Sequence, residues 1–537
     1  MQNFDNLGIM LDCSRNAVMK PTAVKEMIDM ISAMGYNFLM LYTEDTYEVN
    51  NEPYFGHMRG RYSKEELKDL DSYAASRGVT LMPCIQTLAH LNGLMQWKRY
   101  DEIKDCHDIL CAGEERVYEL IDSMFASLAE SFTCRTVNIG MDEANFIGRG
   151  KYMDKNGKRK SLDILLEHLR RVSEIAGKYG FSLLMWGDMF FSLANGGKYY
   201  DGSAPGDEIR KRIPDNVTLI YWDYYSDDKG HYDSMITAHQ AIQPDIWFAG
   251  GIWTWTGFAP HNDRTLRVTR AAFESCRENG VRNVIMTMWG DDGAECSRYS
   301  ALPAIYAAAQ YAKGNYDDEL IKAGFEEMFG ISYSDFMLTG LPGTPNSEDI
   351  NNPEKYMLYN DCFMGLLDSA ADPNSGASYA ACAEKLGKLC SEPRFGYIFR
   401  TLKSLCDTIA LKYDIGLRVR RAYAENNKAE LEKIVSDYKA LLTLIDKFYN
   451  AFEEQWMREN KPHGFDVQDI RIGGLERRIR HCIGRLESYM SGELDRIEEL
   501  EEPVLDRFCE SEPAYKPCCF NNWAENASAN VVCCPKY

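Results

Sequence analysis

No stretch of this 537-residue sequence approaches the roughly 20 apolar residues that span a bilayer, so a membrane helix is not expected. Positive charge is also in short supply: 60 Lys and Arg stand against 81 Asp and Glu, a formal net charge of −21. That balance argues against nucleic acid or an anionic membrane as a partner, and says little about a neutral ligand. The amino terminus lacks a basic segment followed by an apolar core and runs straight into a strand. No export signal is expected, and a cytoplasmic setting is. The 17 cysteines are odd in number and scattered through predicted strands and helices, which points to reduced thiols rather than a disulfide framework. The doublets Cys518-Cys519 and Cys533-Cys534 lack the spaced pairing of a zinc site, because adjacent cysteines rarely close on one metal. No metal and no organic cofactor is implied, and no internal repeat alters the picture.

What is present is a recurring strand–helix rhythm. Strand-like runs span residues 7–15, 37–45, 79–86, 136–144, 181–188, 217–225, 246–255 and 283–292. A helix with Pro21 in its first turn follows the first run, and Ser63-Lys-Glu-Glu66 is a capping-box pattern opening another. Eight such units in about 315 residues, with near-continuous apolar strand cores, predict a (β/α)8 barrel of strands buried on both faces. A doubly wound open sheet is the alternative, but it would place functional residues after a few strands rather than after nearly all. Past residue 330 the pattern changes to long helical segments with few strand signals. The expected division is a catalytic barrel over residues 1–335 and an α-helical domain over 336–537.

The chain is organised around Thr136-Val-Asn-Ile-Gly-Met-Asp-Glu-Ala144. Neighbouring side chains on a regular strand face opposite ways. Asp142 and Glu143 can therefore share a pocket only if the strand ends there and the backbone turns, as it does at the carboxyl rim of a parallel barrel. Their adjacency reads as the working pair of a glycosidase. Other strands end in Arg15, Asp45, His90, Trp186, Tyr221, Asp223, Trp253, Trp255, Trp289 and Asp291. Aromatic rings with a few fixed carboxylates and a guanidinium suit a pyranose, which offers a flat face and a ring of hydroxyls.

These motifs resemble those of glycoside hydrolase family 20, the β-N-acetylhexosaminidases. Leu11-Asp-Cys-Ser-Arg15 looks like the family's first-strand signature, and Asn138-Ile-Gly-Met-Asp-Glu143 resembles its His-x-Gly-Gly-Asp-Glu motif. Trp289-Gly-Asp291 resembles its strand-eight Trp-x-Glu, with Asp for Glu. The similarity covers about residues 5–315 and is nearest the short intracellular branch, without the small α/β domain that usually precedes the barrel.

The resemblance implies substrate-assisted catalysis on an oligosaccharide or glycoside ending in N-acetylglucosamine or N-acetylgalactosamine. It makes Glu143 the acid/base, Asp142 the group that orients the acetamide, and Asp45 with His90 a pair behind Glu143. It gives Arg15 and Asp291 to the sugar hydroxyls, Trp186, Trp253 and Trp289 to the walls, and Asp223 to a hydroxyl or a helix cap. A tyrosine should bond the acetamido oxygen; Tyr221 is the choice, with Tyr224 and Tyr225 close by. His57, Arg59 and Arg61 in the second loop are candidates for a further sugar contact. Two other readings are another barrel glycosidase with a carboxylate nucleophile, and a sugar-binding protein without catalysis. A homodimer is compatible with the sequence, and no residue decides it.

Overall fold

The computed structural model describes residues 4–346, 352–371, 374–505, 521–528 and 530, so the two cysteine doublets of the tail lie outside the described residues. Eight strands close into a barrel: β1 (Asn6–Asp12), β2 (Phe38–Thr43), β3 (Thr80–Ile85), β4 (Thr136–Asn138), β5 (Ser182–Trp186), β6 (Val217–Trp222), β7 (Trp247–Gly251) and β8 (Asn283–Met288). Every pairing in the ring is parallel, and β8 closes it by lying beside β1, with Asn6 opposite Asn283 and Leu11 opposite Met288. The barrel, and not the open sheet, is the architecture.

The strands are apolar throughout because each alternate residue meets a different hydrophobic layer. Met10, Met40, Cys84, Leu184, Ile220 and Ile285 point inward and fill the barrel. Leu11, Leu41, Leu183, Leu219, Tyr221 and Phe248 point outward against the helices. Gly8 is required by this filling: a Cβ there would lie 2.2 Å from the ring of Phe38, which packs edge-on against Trp247 in the interior.

Local signals place the helices. Pro21 opens the helix Pro21–Met34, which ends at Gly35 in a left-handed conformation, φ 99°. Ser63 accepts the Glu66 N–H at 3.1 Å while Glu66 accepts the Ser63 N–H at 2.9 Å, a complete capping box for the helix Lys64–Ser76. One element departs from the strand–helix rhythm. The loop after β3 carries a small antiparallel hairpin, Lys104–Cys106 with Ile109–Leu110, whose tip is His107 at φ 47°.

Beyond the barrel the described chain is helical, with long helices Gly396–Lys412, Lys428–Glu459 and Phe465–Ser491. They bear on two barrel loops. The loop after β1 is tied by the Lys461 N–H to the Val18 carbonyl at 2.8 Å and by the Lys20 N–H to the Glu459 carbonyl at 2.9 Å. The loop after β8 is held by ions: Lys355 Nζ lies 2.8 Å from Glu295 and 3.3 Å from Asp292. Arg471 reaches the same two carboxylates at 3.1 and 2.9 Å. Among the described residues no helix is long and apolar enough to cross a membrane, and the described cysteines are free thiols.

Removing one member of a buried ion cluster leaves an uncompensated charge. Lys355→Met should therefore cost about 3 kcal/mol and lower the thermal midpoint. The exposed pair Arg170–Glu174 is the control, and Arg170→Ala should leave the midpoint unchanged.

Candidate active site

β4 is three residues long and touches β3 only where Cys84 faces Asn138. The strand then breaks. Gly140 (φ 73°), Met141 (φ 67°) and Glu143 (φ 50°) all adopt left-handed backbone, which non-glycine residues rarely do. Asn138 Oδ1 accepts the Gly140 N–H at 2.9 Å, and Gln86 Oε1 accepts the Met141 N–H at 3.1 Å. Glycine is needed at 140 because a Cβ would lie 2.1 Å from Gln86 Oε1. The result is that Asp142 and Glu143, adjacent in sequence, both line one cavity of about 180 Å³ at the carboxyl end of the barrel.

The two acids are placed in different environments. The Asp142 side chain is 12% exposed and that of Glu143 is 57% exposed. Gln86 Nε2 donates to Asp142 Oδ1 at 2.7 Å, and His90 Nε2 lies 3.2 Å from Asp142 Oδ2. Burial works against ionisation of Asp142, but the charge and hydrogen bond of His90 and the amide of Gln86 outweigh it and hold the carboxyl below its ordinary range. In return, although burial opposes it, Asp142 drives the His90 imidazole up to about 9. Glu143 is pushed the other way, raised by burial and then by the negative charge of Asp142. One acid is kept ionised and its neighbour is kept ready to carry a proton.

Arg15 and Asp291 stand across the same cavity. Arg15 Nε donates to Glu44 Oε1 at 3.0 Å, and its Nη2 lies 3.5 Å from His90 Nδ1. Burial pushes the Asp291 carboxyl up to about 6, with Arg15 pulling it back. The walls are Trp186, Trp222, Tyr224, Tyr225, Trp255 and Trp289. Trp222 and Tyr224 stack at 5.4 Å and 24°, and Trp186 and Trp289 meet at 6.1 Å and 51°.

Of the strand-end residues singled out from the sequence, Arg15, His90, Asp142, Glu143, Trp186, Trp255, Trp289 and Asp291 line this cavity, and Asp45, Tyr221, Asp223 and Trp253 do not. The Asp45–His90 pair does not form. Asp45 is turned to Arg59 at 2.8 Å, in a space left open by Gly93, and His90 meets Asp142 directly. Tyr221 lies on the outward parity of β6 and donates to Asp223 at 2.9 Å, outside the cavity. Asp223 also accepts the Tyr225 N–H at 3.0 Å and lies 2.7 Å from His231 Nε2. It therefore organises the loop bearing Tyr224 and Tyr225, and the next helix is capped by Asp228 instead. Trp253 sits behind the wall, stacked on Trp255 at 4.5 Å and donating to the Tyr224 carbonyl at 3.0 Å. In the second loop, Arg59 is taken up by Asp45, Arg61 donates to the Pro53 carbonyl at 3.1 Å, and His57 packs on Trp97 at 5.3 Å.

Sequence reasoning missed Gln86, Trp222 and Asp188. Gln86 and Asp188 each end a predicted strand, the same signal that found Arg15 and His90. Asp188 Oδ2 accepts the Glu143 N–H at 3.0 Å, and its Oδ1 accepts the Trp222 indole N–H at 3.3 Å. It thus fixes the strained backbone of Glu143 and one wall together. Burial and the charge of Asp142 push its carboxyl up to about 7.

Comparison with known proteins bears on this arrangement. Residues 4–242 match the model of the glycosyl hydrolase family 20 catalytic domain, and residues 336–516 that of the glycoside hydrolase 20C C-terminal domain. The chain is similar to hexosaminidase D of Homo sapiens, 22% identical over 353 residues, covering 59% of this chain and 68% of the relative. Hexosaminidase D of Bos taurus is 23% identical over 352 residues, covering 59% and 95%. Among solved structures, a β-N-acetylhexosaminidase of Bacteroides fragilis aligns with a TM-score of 0.47 at 22% identity, covering 61% of this chain and 70% of that one. A family 20 exo-β-N-acetylglucosaminidase of Vibrio harveyi aligns with a TM-score of 0.45 at 15% identity, covering 61% and 58%.

Two outcomes test the electrostatics of the cavity. With its folded pKa at about 9 against an ordinary 6.5, His90 adds stability that is complete below pH 6.5 and is lost as the pH rises through 9. Thermal midpoints recorded from pH 6 to pH 9.5 should fall more steeply for the native protein than for His90→Asn. In Asp188→Asn, an amide N–H must face either the Glu143 N–H or the Trp222 indole. Turnover should drop about tenfold or more, and the thermal midpoint should fall by the equivalent of about 1–3 kcal/mol.

Proposed function

Because the chain belongs to glycoside hydrolase family 20, we propose that it is a retaining exo-β-N-acetylhexosaminidase releasing terminal β-linked N-acetylglucosamine or N-acetylgalactosamine by substrate-assisted catalysis. The observation that carries this reading is the opposite electrostatic bias on Asp142 and Glu143 within one cavity. The cavity volume of about 180 Å³ suits one terminal ring rather than a continuous chain, which supports exo action.

In the first step the acetamido oxygen of the bound sugar attacks C1 as the glycosidic C1–O bond breaks. Glu143, at the mouth, gives its proton to the leaving oxygen. Asp142, already ionised, accepts the amide N–H and stabilises the positive charge that spreads over the forming oxazolinium ring. In the second step water attacks C1, Glu143 takes the water proton, and the ring opens to restore the acetamide. Two displacements at C1 return the β configuration. Arg15 and Asp291 are placed to bond hydroxyls, and Trp186 and Trp289 to enclose the ring. Of the three candidate tyrosines, Tyr224 is the one we assign to the acetamido oxygen. It lines the cavity, its hydroxyl is close enough to Asp142 to feel that charge, and Tyr221 lies behind the wall.

Nitrophenyl sugars with and without the 2-acetamido group test the proposal. Hydrolysis should require the acetamide, a thiazoline analogue should inhibit, and a 2-fluoro sugar should leave no covalent adduct. Asp142→Asn should lose about a hundredfold or more in kcat on every aryl substrate, since it removes charge used only in the transition state. Glu143→Gln should lose activity on poor leaving groups and keep much of it on good ones. Near-normal turnover by Asp142→Asn would overturn the role given to that residue.

A further inference from the structure

The acid/base must face the oxygen that leaves, so the group on the far side of the scissile bond lies outside the cavity, against Glu143. Phe146 is the exposed ring next along the chain. It follows Glu143 by three residues, at most about 10 Å of chain, and is 58% exposed. A single exposed ring needs no explanation by itself. This one is paired: its centroid lies 5.8 Å from that of His107, at 49°. His107 is the tip of the hairpin in the loop after β3, held in left-handed backbone at φ 47°.

The hairpin is anchored to the catalytic groups on both sides. Asp108, the next residue, accepts the His90 N–H at 3.0 Å, and its charge acts on Glu143. Cys106 donates its thiol to the Phe146 carbonyl at 3.4 Å. Two paired rings are thus carried by segments tied to those that hold the donor. His107 also lines a second cavity of about 250 Å³, together with Asn92, Met95, Gln96 and Lys104. Its amide and ammonium groups are hydrogen-bond donors of the kind that sugar hydroxyls and acetamide carbonyls accept.

We propose that Phe146 and His107 form the subsite for the sugar on the reducing side of the bond cleaved, and that the cleft of Asn92, Gln96 and Lys104 takes one unit more. The inference rests on the hexosaminidase reading above and narrows it: the preferred substrate is a β-linked oligosaccharide of at least three units, not a glycoside with a small aglycone. Apolar sugar faces stack on the two rings, while the hydroxyls beyond them reach the polar cleft.

N-acetyl-β-glucosaminyl fluoride has no ring beyond C1 and reports on the catalytic cavity alone. It is compared with the β-1,4-linked di- and trisaccharides of N-acetylglucosamine on the full chain. Phe146→Ala should lower kcat/KM for the disaccharide about tenfold, mainly through KM, while the value for the fluoride stays within about twofold. Phe146→Tyr, which keeps the ring, should restore the disaccharide rate. Lys104→Ala should abolish the preference for trisaccharide over disaccharide. Equal losses on fluoride and disaccharide, or no loss on the disaccharide, would overturn the subsite and leave the activity standing. A native protein inert toward the fluoride would overturn the activity and the subsite with it.

Discussion

The site depends on one backbone constraint: β4 must end before its acids begin. Adjacent strand residues point to opposite faces, and had β4 continued, one of Asp142 and Glu143 would have been driven into the helical layer. Left-handed residues at 140, 141 and 143 prevent this. Such conformations cost of order 1–3 kcal/mol each for non-glycine residues and persist only where the surroundings over-determine them. Here the surroundings are named. Asn138 and Gln86 accept the first two N–H groups of the turn, and Asp188 accepts that of Glu143. Gln86 and Asp188 come from the ends of the neighbouring strands β3 and β5, so the turn is strained locally and supported by the whole rim.

The rest of the rim is held from outside. Arg15 and Asp291 sit on the loops after β1 and β8, the two strands whose pairing closes the barrel. The C-terminal helices bear on both loops. Backbone bonds grip the first loop at Val18 and Lys20. The ion cluster of Lys355, Arg471, Asp292 and Glu295 grips the second. A cluster of this kind gains little over apolar packing but penalises every arrangement in which one partner is displaced. That is the property needed of a loop carrying a substrate contact. The helical region therefore belongs to the site's architecture as well as to its support.

How much of this the sequence disclosed follows the range of the forces involved. The eight strands, the capping box at Ser63 and the proline-led first helix rest on periodicity and caps, which act within a few residues, and all are present. The turn at Asp142 was readable because two adjacent acids cannot otherwise converge. Tyr221 faces away from the cavity, and parity discloses it, since Ile220 and Trp222 share the inward face while Tyr221 shares the outward one with Leu219. The partner of Asp45 was not readable. Whether a strand-end carboxylate meets His90 or Arg59 turns on the missing side chain of Gly93 and the path of two long loops. The hairpin at His107 was hidden for the same reason, because its strands are too short for a period to show.

On the proposed mechanism, the balance of charge in the cavity favours a cation in formation over a neutral ligand. Five carboxyls crowd together, those of Glu44, Asp142, Glu143, Asp188 and Asp291, against the two cations Arg15 and His90. Burial lifts four of them, Glu44 and Asp291 to about 6, Asp188 to about 7 and Glu143 above its ordinary range, so they give up charge easily. Asp142 alone is biased downward. A site so arranged holds one firm negative charge, with others that can ionise if positive charge grows nearby. On the mechanism proposed above, a neutral sugar entering it changes little, whereas charge developing at C1 and across the acetamide meets oriented carboxylates that need no reorganisation. The difference between those two responses is the part of binding that speeds a reaction.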